Sequence, residues 1–148
     1  MTMAFSVQRI DHVVLRVRDL ARSIDFYRHV LGCRVERERE HLGLVHLRAG
    51  DSMIDLVGID GKLGARGGAP AGDEGRNVDH LCLRIAPFDE AALVTHLARF
   101  GLAPDGPAEV NFGAEGDGLS LYFRDPDGNT IELKGPAGPA AGEALCKR

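Results

Sequence analysis

Two histidines and two carboxylates recur in this chain at matching positions. Ile10-Asp11-His12-Val13-Val14-Leu15-Arg16-Val17 is echoed by Val78-Asp79-His80-Leu81-Cys82-Leu83-Arg84-Ile85, so His12 and His80 stand 68 residues apart. Ile54-Asp55-Leu56-Val57-Gly58 is echoed by Ile131-Glu132-Leu133-Lys134-Gly135, which aligns Asp55 with Glu132. Imidazole nitrogens and carboxylate oxygens are ligands for divalent transition metals. A repeat that delivers one of each, twice, is a natural ligand set for one ion. Nickel, cobalt, zinc, manganese and iron all suit such mixed N/O donors. An ion held this way keeps positions for substrate oxygens or water and acts as a Lewis acid. A carbonyl polarised there acidifies the neighbouring C–H, and Glu132 or Asp55 is the base expected to carry the proton.

Residues so far apart need elements to position them. Residues 7–17 read as a strand, apolar and β-branched. Asp19 suits the N-cap of a helix through residue 31, with Leu20, Ile24, Tyr27 and Leu31 on one face and Gly32 as its stop. Strands are expected over residues 33–40, 42–49 and 52–59, with Gly50-Asp51 as the hairpin turn between the last two. Residues 60–77 are Gly-rich and aperiodic; a linker is expected there, with a lid as the alternative. The order then repeats: strand 78–85, helix 89–100 with Leu93, Leu97 and Phe100 on one face, and strands near 108–112, 118–124 and 129–134. Asp125-Pro126-Asp127-Gly128 is a strong turn sequence before the last strand. Residues 135–148 read as a frayed tail.

The expected fold is therefore α+β: two βαβββ modules, about 7–59 and 78–134, in a single domain spanning 1–148. Strand alternation puts Val13, Leu15 and Val17 on one face and His12, Val14 and Arg16 on the other, and the second module repeats this with His80, Cys82 and Arg84. One amphipathic helix per module covers the apolar face. Two curled mixed sheets related by a pseudo-twofold axis would gather the His/carboxylate faces around a central cavity.

Composition sets the outer bounds. At 148 residues, neither half would bury enough surface alone. The net charge is −4 with acids and bases interspersed, so neither nucleic acid nor an anionic membrane is an expected partner. No apolar run approaches the roughly 20 residues of a membrane span. Met1-Thr2-Met3-Ala4-Phe5 does not resemble a secretory leader. Cys33, Cys82 and Cys146 have no metal-type spacing and read as reduced thiols of a cytoplasmic protein.

The motifs resemble those of the vicinal oxygen chelate superfamily, which includes glyoxalase I, methylmalonyl-CoA epimerase, extradiol dioxygenases and the fosfomycin- and bleomycin-resistance proteins. The carriers are Asp11-His12, Phe26-Tyr27-Arg28-His29-Val30-Leu31-Gly32, Asp79-His80, and Tyr122-Phe123-Arg124-Asp125-Pro126-Asp127-Gly128-Asn129-Thr130-Ile131-Glu132. The resemblance spans roughly residues 7–134, and glyoxalase-like members are nearest. It implies that His12 and His80 are the histidine ligands and Glu132 the carboxylate ligand. Asp55 stands where glyoxalase I has a second carboxylate, a Glu. It is one methylene shorter, which counts against direct ligation; the alternatives are binding through a water, acting as a base, or leaving that coordination position open. The resemblance also implies a small-molecule substrate and often a homodimer.

Three functions follow as expectations. The first is a glyoxalase-type lyase or isomerase, resembling lactoylglutathione lyase, with Glu132, Asp55 and Tyr122 as catalytic residues. The second is an extradiol-type dioxygenase on the His12, His80, Glu132 triad; the histidine its signature wants before Tyr122 is missing from residues 110–121. The third is a resistance transferase or a binding protein. Arg16 and Arg84 suit a substrate carboxylate, with solvation near the strand ends as the competing expectation. Asp11 and Asp79 are expected to bond to helix or loop groups, and Cys82 to be a small wall residue. No partner is evident for His29, His41, His46 or His96.

Overall fold

The computed structural model describes residues 4–138; the expected tail beyond residue 138 lies outside the described residues. The chain divides into two compact units, Met1–Ala71 and Gly72–Arg148. Each carries the same order of elements. The first has β1 (His12–Val17), α1 (Leu20–His29), β2 (Arg34–Arg39), β3 (Leu44–Ala49) and β4 (Ser52–Gly58). The second has β5 (His80–Arg84), α2 (Glu90–Ala98), β6 (Glu109–Gly113), β7 (Gly116–Arg124) and β8 (Thr130–Lys134). The sheets run β1-β4-β3-β2 and β5-β8-β7-β6. In each, the first and last strands of the module pair in parallel and the others antiparallel. The fold is thus α+β with two similar βαβββ modules.

Local sequence explains the elements. Asp19 and Asp89 cap the two helices, each accepting from the backbone N–H three residues on, at 2.9 and 3.0 Å. Gly32 and Gly101 adopt φ of +70° and +69°, the left-handed region that ends a helix. The covered face of α1 differs from the expected one. Ser23, Phe26, Tyr27 and Val30 are buried, while Leu20, Ile24 and Leu31 are only half-buried. Ser23 sits at the centre of that face, where its small side chain lets the helix approach closely. On α2 only Leu97 is fully covered. Phe100 lies beyond the helix end, 42% exposed, with its ring against His96.

The core of the first module is Val17, Tyr27, Leu47, Ile54 and Leu56; that of the second is Leu97, Leu121, Phe123 and Ile131. These residues alternate along their strands with the polar set, so core packing aims the opposite face. β1 is shorter than expected: its paired residues begin at His12, and Asp11 joins the ladder only through its carbonyl, which accepts from the Met53 N–H. A 3₁₀ turn, Glu40–Leu42, interrupts the expected strand before β3. Among the described residues, no helix is long and apolar enough to cross a membrane.

The first part of the Gly-rich segment after β4 is strapped to the first module. The Arg16 guanidinium donates to the carbonyls of Gly64 (2.9 Å), Gly68 (2.6 Å) and Ala69 (3.3 Å), and Arg18 donates to that of Ala71. Arg16 was expected either to meet a substrate carboxylate or to be solvated. It does neither; its donors are spent on the loop. A Cβ on Gly67 would stand 2.3 Å from the Arg16 guanidinium carbon, so a side chain there would displace the strap.

Candidate functional site

In the second module the polar face of the sheet gathers around Glu132. β8 pairs with β5 on one side and β7 on the other, so Glu132 lies between Cys82 and Tyr122. The carboxylate is 4% exposed. Ser120, fully buried, donates its hydroxyl to Oε1 at 2.5 Å. Oε2 stands 3.0 Å from His80 Nε2. The other ring nitrogen, Nδ1, lies 2.7 Å from Asp79 Oδ2.

That last contact assigns the ring. A carboxylate only accepts, so Nδ1 carries the proton. Nε2 faces a second carboxylate oxygen, and that contact needs a proton or a cation between the two atoms. Two donors each about 2.1 Å from one ion at a right angle stand about 3.0 Å apart. The observed 3.0 Å is the spacing of such a pair and equally that of an N–H···O hydrogen bond.

The first module repeats the pattern in part. His12 Nδ1 lies 2.7 Å from Asp11 Oδ1, which leaves its Nε2 available and pushes the imidazole pKa above its ordinary 6.5. The same contact lowers the Asp11 carboxyl. Asp11 and Asp79 were expected to bond to helix or loop groups. Instead each orients the histidine that follows it, the carboxylate–histidine arrangement that fixes tautomer and ring orientation at metal sites.

Asp55 is 5% exposed and keeps one oxygen, Oδ1, buried with no hydrogen-bond partner. Its Oδ2 is 2.8 Å from His46 Nδ1. Such an orphaned atom costs on the order of 1–3 kcal/mol unless a proton or cation reaches it. His46 was not among the residues singled out from the sequence. The Gly50-Asp51 turn could have found it. With Ala49 opposite Ser52, the antiparallel register puts His46 opposite Asp55. Among the described residues, no three His, Cys, Asp or Glu side chains form a metal cluster. The histidine–carboxylate contacts formed on the sheet faces are His80–Glu132 in the second module and His46–Asp55 in the first.

Tyr122 sits edge-on to the His80 ring, with centroids 5.8 Å apart. Its hydroxyl accepts from Asn111 Nδ2 at 3.0 Å. Desolvation, then the Glu132 charge, pushes the phenol up to about 12, so it stays a hydroxyl donor. Desolvation and Glu132 likewise push the Cys82 thiol up to about 11, which keeps it neutral and matches a wall residue. His80, Glu132 and Cys82 line a cavity of about 330 Å³ with Arg84, Phe112 and Lys134. Tyr122 lines instead a larger hollow of about 540 Å³, which contains neither His80 nor Glu132. The smaller cavity is therefore the candidate site.

The sequence profile of the Glyoxalase/Bleomycin resistance protein/Dioxygenase superfamily matches residues 9–133. The chain belongs to this superfamily. The virulence protein STM3117 of Salmonella typhimurium is 31% identical over 129 residues, covering 86% of this chain and 83% of that one. Its crystal structure superposes with a TM-score of 0.72 at 27% identity, over 90% of this chain and all of that one. The lactoylglutathione lyase GLX1 of Arabidopsis thaliana is 32% identical over 136 residues, covering 87% of this chain but only 45% of that protein. The metallothiol transferase FosB of Lysinibacillus sphaericus is 28% identical over 131 residues, covering 86% and 82%.

Proposed function

We propose that this chain is a divalent-metal lyase or isomerase of the glyoxalase type, acting on a small substrate with vicinal oxygens. The observation that carries the reading is the 3.0 Å contact between His80 Nε2 and Glu132 Oε2, with His80 Nδ1 held by Asp79. The residues proposed to hold an ion are His80 and Glu132, with His12 and Asp55 as the corresponding pair of the first module. When bound, the ion supplies Lewis-acid polarisation of a carbonyl.

The remaining chemistry belongs to the chain. Glu132 is buried, and Ser120 fixes its orientation, so it can take a proton from a carbon next to that carbonyl and return it. Tyr122, held as a neutral phenol, donates to oxygen on which charge develops. Asp55, with a free Oδ1, is the second base. Ser120, Asp79 and His46 are positioning residues. A homodimer and a cytoplasmic location belong to the same proposal.

The similarity to FosB, over most of both chains, favours a second reading, a transferase on the same residues. Assays decide between them. Isomerisation of 2-oxoaldehyde hemithioacetals, or exchange of the proton beside an acyl-CoA carbonyl, supports the first. Thiol addition to fosfomycin with neither of these activities supports the second and overturns the first.

A further inference from the structure

The cavity that holds His80 and Glu132 also holds two cations, and metal chemistry uses neither. Lys134 follows Glu132 by two residues on the same face of β8, about 6.6 Å along the strand at roughly 3.3 Å per residue. It pairs directly with Arg84 on β5. Lys134 is 7% exposed, an unusual burial for a lysine.

Two glycines make room for it. A Cβ on Gly113 would stand 2.7 Å from Lys134 Cε, and one on Gly118 would stand 2.6 Å from Nζ. The β6–β7 hairpin thus forms a slot that fixes the side chain. Among the described residues, Lys134 makes no ion pair. The oxygens of Glu132 are already engaged by Ser120 and His80. Arg84 is held by Glu115, Nε to Oε2 at 2.6 Å, at the rim of the same cavity. A buried cation that makes no ion pair, beside a carboxylate whose oxygens are engaged elsewhere, is suited to a ligand anion.

We propose that Lys134, with Arg84 as its neighbour, is a carboxylate subsite. The substrate would then carry vicinal oxygens at one end and a carboxylate some 6–7 Å away. That describes an oxo- or hydroxydicarboxylic acid of about five carbons, with a backbone that lies along β8 against Phe112 and Cys82. The inference rests on the reading of this cavity as the substrate site.

The test is equilibrium binding, read by calorimetry on zinc-loaded and on metal-free protein. 2-Oxoglutarate and 2-oxovalerate share the vicinal oxygens and the chain length; only the first has the distal carboxylate. On the zinc-loaded protein, 2-oxoglutarate should bind at least tenfold more tightly, and Lys134→Met should erase the difference while leaving 2-oxovalerate binding and zinc content unchanged. Equal binding of the two acids, or a preference that survives Lys134→Met, overturns the subsite. Should Lys134→Met not fold, Arg84→Gln at the exposed strand end replaces it. A fall of threefold or more in the preference is expected, and no change overturns the proposal. Glutarate on metal-free protein separates this from the metal reading. Lys134-dependent glutarate binding by a chain that takes up no zinc upholds the subsite and sinks the metal proposal alone.

Discussion

The hydroxyl of Ser120 is predicted to hold the Glu132 carboxylate in its working orientation. Ser120 is fully buried and donates at 2.5 Å to an oxygen of a carboxylate that is itself 4% exposed. Ser120→Ala removes the donor and leaves that oxygen with nothing to replace it. A hydrogen bond to a charged group contributes about 1.5–3 kcal/mol net. For a domain of this size each kcal/mol is roughly 2–4 °C in Tm, so a drop of roughly 3–12 °C is expected. Urea unfolding in EDTA, with Glu132→Gln and the double variant, closes a cycle that isolates the pair. The coupling energy should be about 1.5–3 kcal/mol. Loss of a group that orients a ligand typically weakens metal binding about 10–100-fold, so Ser120→Ala should also lower metal affinity by that factor. A coupling below about 0.5 kcal/mol would refute the idea that this contact holds Glu132.

Other predictions follow from the same geometry. Asp79→Ala should reduce metal affinity about tenfold with little change in urea midpoint, since Asp79 is exposed and acts through His80; an unchanged affinity in metal titrations would show that the contact has no such role. His12 is raised above 6.5 by Asp11, so its protonated form is favoured at acidic pH and is lost as pH rises through the folded value. Metal binding requires the neutral ring, so affinity measured across pH 5–9 should climb with pH in that window, and Asp11→Ala should move the rise to lower pH. Gly64→Ala should destabilise the chain strongly, because its Cβ would stand 1.9 Å from the Gly58 carbonyl oxygen, whereas Gly67→Ala meets only the far end of Arg16. Thermal melts should rank Gly64→Ala well below Gly67→Ala, while proteolysis near residues 64–71 should rise for Gly67→Ala.

The repeat made most of this fold legible. Asp19, Asp89, Gly32 and Gly101 marked the helix ends because capping and positive φ are local requirements. Strand alternation separated His12 from Val13 and Glu132 from Ile131 because its period is a property of the backbone. What stayed hidden depends on tertiary approach. The buried face of α1 centres on Ser23 because close packing there needs a small residue, and periodicity of large apolar residues cannot find one. The role of Arg16 depends on a loop returning to β1 from nearly fifty residues away. Asp11 and Asp79 looked like loop ligands because strand alternation says nothing of a side chain curling back to its neighbour. His46 was within reach, since the hairpin register alone sets it opposite Asp55. Lys134 reads from the sequence as an ordinary strand-end lysine; only Gly113 and Gly118, across the sheet, mark its slot.

His80 and Glu132 are proposed to hold a divalent ion. Elemental analysis of the purified native protein, beside His80→Ala, tests this proposal most directly. Close to one equivalent of nickel, cobalt, zinc, manganese or iron per chain is expected, lost in His80→Ala while the fold is retained. A native protein that takes up none of these ions, even after incubation with each, would contradict it.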